Sequence, residues 1–180
     1  MCDLARKTIT VLLILWAGPL WSLPIPRLEL TSLENKRFVL PVDAQASVNV
    51  LVIGFTQKAG ENNKPWIDRL GRDFPPTPRC ATYSVAILTG VPALFRSLAL
   101  SGMRNAIPTE RRSMFLSTFT DEKVWKSLVG YQEANDPYLV LLDASGQVLL
   151  QVHGLFTEAR YQQVADQINL VPPIPTHQGG

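Results

Sequence analysis

Val48-Asn-Val-Leu-Val-Ile-Gly-Phe55 is the stretch on which the fold turns. Val48, Val50, Leu51, Val52 and Ile53 make it almost continuously apolar. A strand with one wet face alternates apolar and polar residues, whereas a strand covered on both faces does not, so this run reads as a central parallel strand. A polar break follows it, Thr56 through Lys64. Pro65 then stands where a first helical turn tolerates proline, and Trp66, Ile67 and Leu70 carry helical spacing to Phe74, with Pro75, Pro76 and Pro78 as the stop.

Downstream the pattern repeats. Arg79 to Leu88 reads as a strand with Tyr83, Val85 and Ile87 on one side, and Val91 to Met103 as a helix with Leu94, Leu98 and Met103 as its apolar points. Asn105 to Arg112 is a polar connection, and Ser113 to Phe119 a third strand. Thr120 is a suitable N-cap for a helix over 121–129, which Gly130 closes. Tyr138 to Leu142, the turn Asp143-Ala-Ser-Gly146 and Val148 to Val152 form a hairpin, and Thr157 to Ile168 a last amphipathic helix. Upstream, Phe38-Val39-Leu40 reads as a short strand and residues 23–32 as a Pro-rich lead-in. Alternating strands and helices imply an α/β domain over 33–170: a mixed, mostly parallel central sheet with helices on both faces, ending in a β-hairpin plus helix.

The chain has 180 residues, 46% hydrophobic and 18% charged, which suits one domain with a real core and excludes a disordered or disulfide-scaffold protein. A net charge of +2 gives no general reason to bind nucleic acid or an anionic membrane. Arg6 and Lys7 precede an apolar run from Ile9 to Leu20, followed by Gly18, Pro19 and Ser22. That is the pattern of a signal peptide over 1–22, and the run is shorter than the roughly 20 residues a spanning helix needs. The expected location is therefore secreted or periplasmic, with a retained membrane anchor as the alternative and membrane contact only through that segment. Cys2 precedes the apolar run, so it does not stand as a lipoprotein acceptor. Cleavage would leave Cys80 alone, and one cysteine forms no internal disulfide. Residues 171–180 read as a loose Pro/Gly tail.

The element order, together with Val50–Ile53 running into a polar turn, Asp136-Pro137-Tyr138 before an apolar strand, and Leu141-Leu-Asp-Ala-Ser-Gly-Gln-Val148, resembles the thioredoxin-like superfamily over about Leu33 to Leu170. The resemblance implies that Pro137 is a cis-proline facing the turn that carries Cys-x-x-Cys in redox-active members. Here that turn holds Ala59-Gly60-Glu61-Asn62. Dithiol exchange needs a thiolate at the helix start and a second thiol to resolve the mixed disulfide, and neither is present. Ser117-Thr118-Phe119 with Asp121, and Tyr138-Leu-Val-Leu-Leu-Asp143, further resemble the mitochondrial ATP synthase assembly factor family, which would imply a folding or assembly aid.

The sharpest functional expectation is a ligand groove between this turn and Pro137, bordered by Lys58, Ala59, Gly60, Glu61 and Asn62, where free helix amides hold a peptide carbonyl or an anion. A plain capped loop remains the open alternative. The expected partner is a protein or peptide; nucleic acid, cofactors and metals are not expected. His153 and His177 lack a second ligand at metal spacing, and His153 reads as an exposed strand-end residue. Cys80, next to Arg79, is either a small buried hydrophobe or the thiol of a one-cysteine oxidoreductase or peroxidase. Arg104, Arg111 and Arg112 could form a small basic patch, or simply a solvated connection.

Overall fold

A computed structural model of the chain describes residues 24–173. The expected signal segment and the last seven residues of the tail lie outside the described residues. Seven strands form one sheet: β1 (Leu28–Ser32), β2 (Arg37–Leu40), β3 (Val48–Gly54), β4 (Cys80–Ile87), β5 (Phe115–Thr118), β6 (Tyr138–Asp143) and β7 (Val148–His153), in the order β2-β1-β5-β4-β3-β6-β7. Four helices accompany it: α1 (Gln57–Asp73), α2 (Arg96–Ala106), α3 (Glu122–Val129) and α4 (Glu158–Leu170).

Every residue of β3 is buried, as its apolar run requires. It pairs in parallel with β4 and antiparallel with β6, so the sheet is mixed. Parallel pairing is confined to β3–β4 and β4–β5, a smaller share than the alternating order implied, because hairpins flank this trio on both sides. One face carries Leu51, Ile53, Tyr83, Val85, Val140 and Leu142 under Trp125 and Val129 of α3. The other carries Val48, Val50, Val52, Leu139 and Leu141 under Trp66 and Leu70 of α1 and Tyr161, Val164 and Ile168 of α4.

Four sequence expectations are corrected. First, residues 23–32 are not a mere lead-in. Leu28 and Leu30 join the core from β1, and the Ile25 amide donates to the Gly146 carbonyl at 2.9 Å. The alternation Leu28-Glu-Leu-Thr was too short to register as a strand, and cross-sheet pairing with β2 and β5 supplies what local pattern lacks. Second, α1 begins at Gln57, two turns before Pro65. The polar residues 56–64 form its start: Thr56 is the N-cap, its hydroxyl accepting from the Ala59 amide at 3.0 Å. Ala59, Asn63, Trp66 and Leu70 face the sheet at spacings of four, three and four. Pro65 is tolerated inside the helix because it lies on the exposed face, where water can reach the carbonyl that loses its donor.

Third, Asp121 with φ of 62°, and not Thr120, is the N-cap of α3. Its other end follows the expected chemistry: Gly130 sits at φ 59°, a conformation glycine adopts without strain, and the Tyr131 amide closes the helix onto the Lys126 carbonyl at 2.9 Å. Fourth, the helix predicted over 91–103 is a 3₁₀ turn (Ala93–Phe95) followed by α2, and neither buries a side chain. Leu94 and Leu98, two of its expected apolar points, are exposed and belong to neither core cluster.

Candidate functional site

The carboxyl end of β3 is where the fold brings distant polar groups together. Gly54 ends the strand, and α1 starts three residues on. A Cβ on Gly54 would meet Asn63 Nδ2 at 3.1 Å, Ala59 Cβ at 3.3 Å and the Gly60 nitrogen at 3.3 Å, so the bare glycine lets the helix start close against the strand end. Across from it runs the connection 131–137. The Thr56 hydroxyl donates to Asn135 Oδ1 at 2.9 Å, and Asn62 Nδ2 donates to the Asn135 carbonyl at 2.9 Å.

Tyr138 fixes that connection. Its buried hydroxyl accepts from the amides of Gln132 and Glu133, both at 2.9 Å, and donates to the Glu133 carbonyl at 2.8 Å. Its ring belongs to an aromatic row: edge-on to Phe55 at 5.7 Å, stacked on Tyr131 at 5.8 Å and on His153 at 5.8 Å. Phe55 meets Tyr131 edge-on at 4.9 Å, and Lys126 Nζ lies 4.5 Å from the centre of the Tyr131 ring. His153 is half-buried, not simply exposed: Nδ1 lies 3.1 Å from Asp136 Oδ2. Sequence reading missed this row because its members come from four separate segments and share no local spacing.

The residues expected to border a groove fall into two groups. Lys58, Gly60 and Glu61 are exposed on the first turns of α1, and Lys58 Nζ pairs with Glu61 Oε2 at 2.9 Å. That pair lies in water and contributes little stability, but it offsets the charge of Lys58. Ala59 and Pro137 are buried, and Asn62 is committed to Asn135. The turn and the Pro137 connection do meet, yet hydrogen bonds span their junction. The site is a polar rim beside half-buried Phe55 and Tyr131, with Gln57 and Lys58 supplying the first-turn amides.

Pro137 also corrects the resemblance. The Asp136–Pro137 bond is not cis; among the described residues the cis bond is Leu40–Pro41. Pro137 is instead seated by its own carbonyl, which accepts from the Gly154 amide at 2.9 Å, continuing the β6–β7 pairing that sets Tyr138 opposite His153.

Cys80 lies at the other end of the sheet. It pairs with Val48 at the start of β3, whereas α1 begins beyond Gly54, six residues along. At roughly 3.3 Å per residue that is about 20 Å. The thiol is 2% exposed, and burial pushes it up to about 11 despite the opposing pull of Arg79. Such a thiol is protonated and shielded at neutral pH, which opposes the one-cysteine chemistry considered above. Among the described residues no three His, Cys, Asp or Glu side chains cluster as a metal site, and no helix is long and apolar enough to cross a membrane.

No family model and no curated protein matches the sequence. Solved structures do match in fold. A candidate thiol:disulfide interchange protein DsbE from Chlorobium tepidum aligns with a TM-score of 0.59 at 18% identity, covering 83% of this chain and 96% of its own. The exposed lipoprotein thioredoxin Etrx1 of Streptococcus pneumoniae gives 0.54 at 11% identity, with 79% and 99% covered. Copper-bound Sco1 of yeast gives 0.55 at 14% identity, with 88% and 98% covered. At these identities the likeness concerns the fold, and it agrees with the seven-stranded mixed sheet and its four helices. The fold of this chain is thioredoxin-like.

Proposed function

We propose that this chain is an exported thioredoxin-like module that binds a protein or peptide segment at the start of α1, as a chaperone or assembly aid, and performs no dithiol–disulfide exchange. One observation carries the reading. The end of β3, where a helix start could activate a thiol, holds a polar cap and an aromatic row, while Cys80 is buried about 20 Å away. Exposed Lys58, Gly60 and Glu61 beside Phe55 and Tyr131 offer hydrogen bonds and ring surface to an extended segment. The Arg-Lys pair followed by the apolar run 9–20 supports export. The competing reading, an oxidoreductase or peroxidase using Cys80, requires a thiol that solvent can reach.

Three measurements test this on the full chain expressed in its own cells. A photo-crosslinking residue at Gly60 should give a discrete adduct, and one at Ala144, on the hairpin turn at the opposite end of the sheet, should not. Equal adducts from both positions would remove the binding site. The purified protein should reduce insulin no faster than background; a rate abolished by Cys80→Ser would restore the enzyme reading. The mass of the purified protein should correspond to a start near Leu23, and an intact Met1 form recovered from the cytosol would contradict export.

A further inference from the structure

The sheet has two edge strands, β2 and β7, and they are finished differently. At β2 the Ser32 amide donates to the Lys36 carbonyl at 2.9 Å. The alternation of an antiparallel ladder therefore turns the main-chain groups of Phe38 and Leu40 toward β1 and those of Arg37 and Val39 outward. The chain closes this edge itself. The Val39 amide donates to Asp43 Oδ2 at 2.7 Å, and the Val39 carbonyl accepts from the Asp43 amide at 2.8 Å. Arg37, paired with Glu29, puts a charged residue at the other outward position. Covering and charge are the devices by which natural sheets refuse a further strand.

Neither device protects β7. The Gly154 amide donates to the Pro137 carbonyl at 2.9 Å, and the same alternation turns Leu150 and Val152 toward β6 and Gln151 and His153 outward. Among the described residues no group meets those outward amides and carbonyls. Val148-Leu-Leu-Gln-Val-His153 contains no Asp, Glu, Lys, Arg or Pro. The register irregularity at Leu141/Leu142 lies toward the turn and leaves 150–153 in regular pairing. No residue of β7 is buried, and Leu150 and Val152 only lean on the core beneath α1 and α4.

We propose that β7 pairs with the β7 of a second copy of this chain, antiparallel about a two-fold axis at Val152, so that two sheets become one. This register sets Gln151 of each chain opposite His153 of the other and satisfies the outward amide and carbonyl of both. It also lays Val152 against its own symmetry mate and takes half-covered apolar surface out of water. The open groups are donors and acceptors at strand spacing, and what fits them is an extended backbone. A foreign strand would be selected by pockets for its alternate side chains. β7 offers none from its outward residues, since Gln151 Nε2 donates to the Leu128 carbonyl while the His153 ring stacks on Tyr138 and meets Asp136. A second β7 needs no such selection: antiparallel self-pairing is self-complementary, and an uncharged strand sets no like charges opposite each other. With β2 sealed, association closes at two chains instead of continuing as a fibre. The pairing does not depend on the peptide-binding site at α1.

Light scattering of the purified protein across a dilution series tests it. With rising concentration the mass should climb from one chain to two and go no further, and hydrogen exchange over 148–153 should slow while that over 37–40 stays unchanged. Gln151→Pro removes an outward amide without touching the ladder to β6. It should weaken pairing roughly 5- to 100-fold, because two amides are lost per pair. Gln151→Lys and Gln151→Glu keep the amide and set like charges about the axis. Each alone should pair more weakly than the wild type, and an equal mixture of the two should recover the two-chain mass, which a misfolded variant could not do. A one-chain mass at every concentration, growth beyond two chains, pairing that survives both kinds of substitution, or a mixture no stronger than its components would each overturn the inference. The first is also the outcome if the strand that β7 takes is a foreign one.

Discussion

The two ends of the β3–β4 pair are built from adjacent strands of one sheet and hold opposite things. At the carboxyl end of β3, polar groups from α1 and the 131–137 connection meet at the surface over an aromatic row. At the amino end of β4, the only cysteine among the described residues is packed into the core beside Val48. In this fold the reactivity of a group is set by which end of the strands it occupies. A helix start lends its amides to whatever sits there, while a strand start covered by α1 and α4 offers a sulfur only burial. The sulfur and the helix start lie about 20 Å apart, and that separation is the reason for reading a binding module.

Substitutions at both ends can break or sharpen this contrast. Trp66→Ala should have the largest effect. Its ring is fully buried and its Nε1 donates to the Gly154 carbonyl at 3.3 Å, tying α1 to the strand that carries His153. Unfolding in urea should show a loss of about 3–5 kcal/mol, and a loss under about 1 kcal/mol would mean that α1 does not fix this end. Gly54→Ala should lose about 1–3 kcal/mol by pressing on Asn63 and Ala59, read as a lowered denaturation midpoint. A neutral result would mean the helix start has room to move.

At the other end, Cys80 should leave a signature in alkali. Between its ordinary value of 9.0 and about 11, the unfolded chain releases a proton that the folded chain keeps. Stability should therefore fall as pH rises through that window and be indifferent to Cys80 below it, with a span on the order of 2 kcal/mol. The difference between wild type and Cys80→Ala across pH 8–11.5 isolates this contribution from other groups titrating there, and a flat difference would place the thiol in water. Thr56→Ala should have the smallest effect, about 1 kcal/mol for the lost cap. Its companion reading is exchange of the 131–137 amides, which should quicken once Asn135 loses its partner.

What could be read from the sequence follows where burial is written locally. β3 and β6 were visible as apolar runs, because both faces are covered, β4 from the one-sided spacing of Tyr83, Val85 and Ile87, and β7 as the return strand after the Asp143 turn. The Asp143 turn was visible because its carboxylate collects the amides of Ser145 and Gln147 through sequence neighbours. The first two turns of α1 were not, since Asn63 takes an inward position between Ala59 and Trp66 and interrupts the apolar spacing. α2 showed helical spacing truly, but spacing tells which residues share a side and not whether anything covers it. The candidate site was located only through the resemblance. Asn135 reaches Thr56 and Asn62 across 79 and 73 residues, a meeting made by sheet order and not by any local pattern. The resemblance also carried one error, the cis-proline at Pro137.

The most direct measurement is the reaction of Cys80 with a small disulfide reagent in the folded full chain carrying Cys2→Ser, followed from pH 6 to pH 9. The thiol should react only through unfolding, at a rate that rises with denaturant and shows no midpoint below pH 9. Rapid labelling of the native protein with a midpoint near neutrality would reveal an exposed thiolate and contradict the reading of a fold that has given up its redox chemistry.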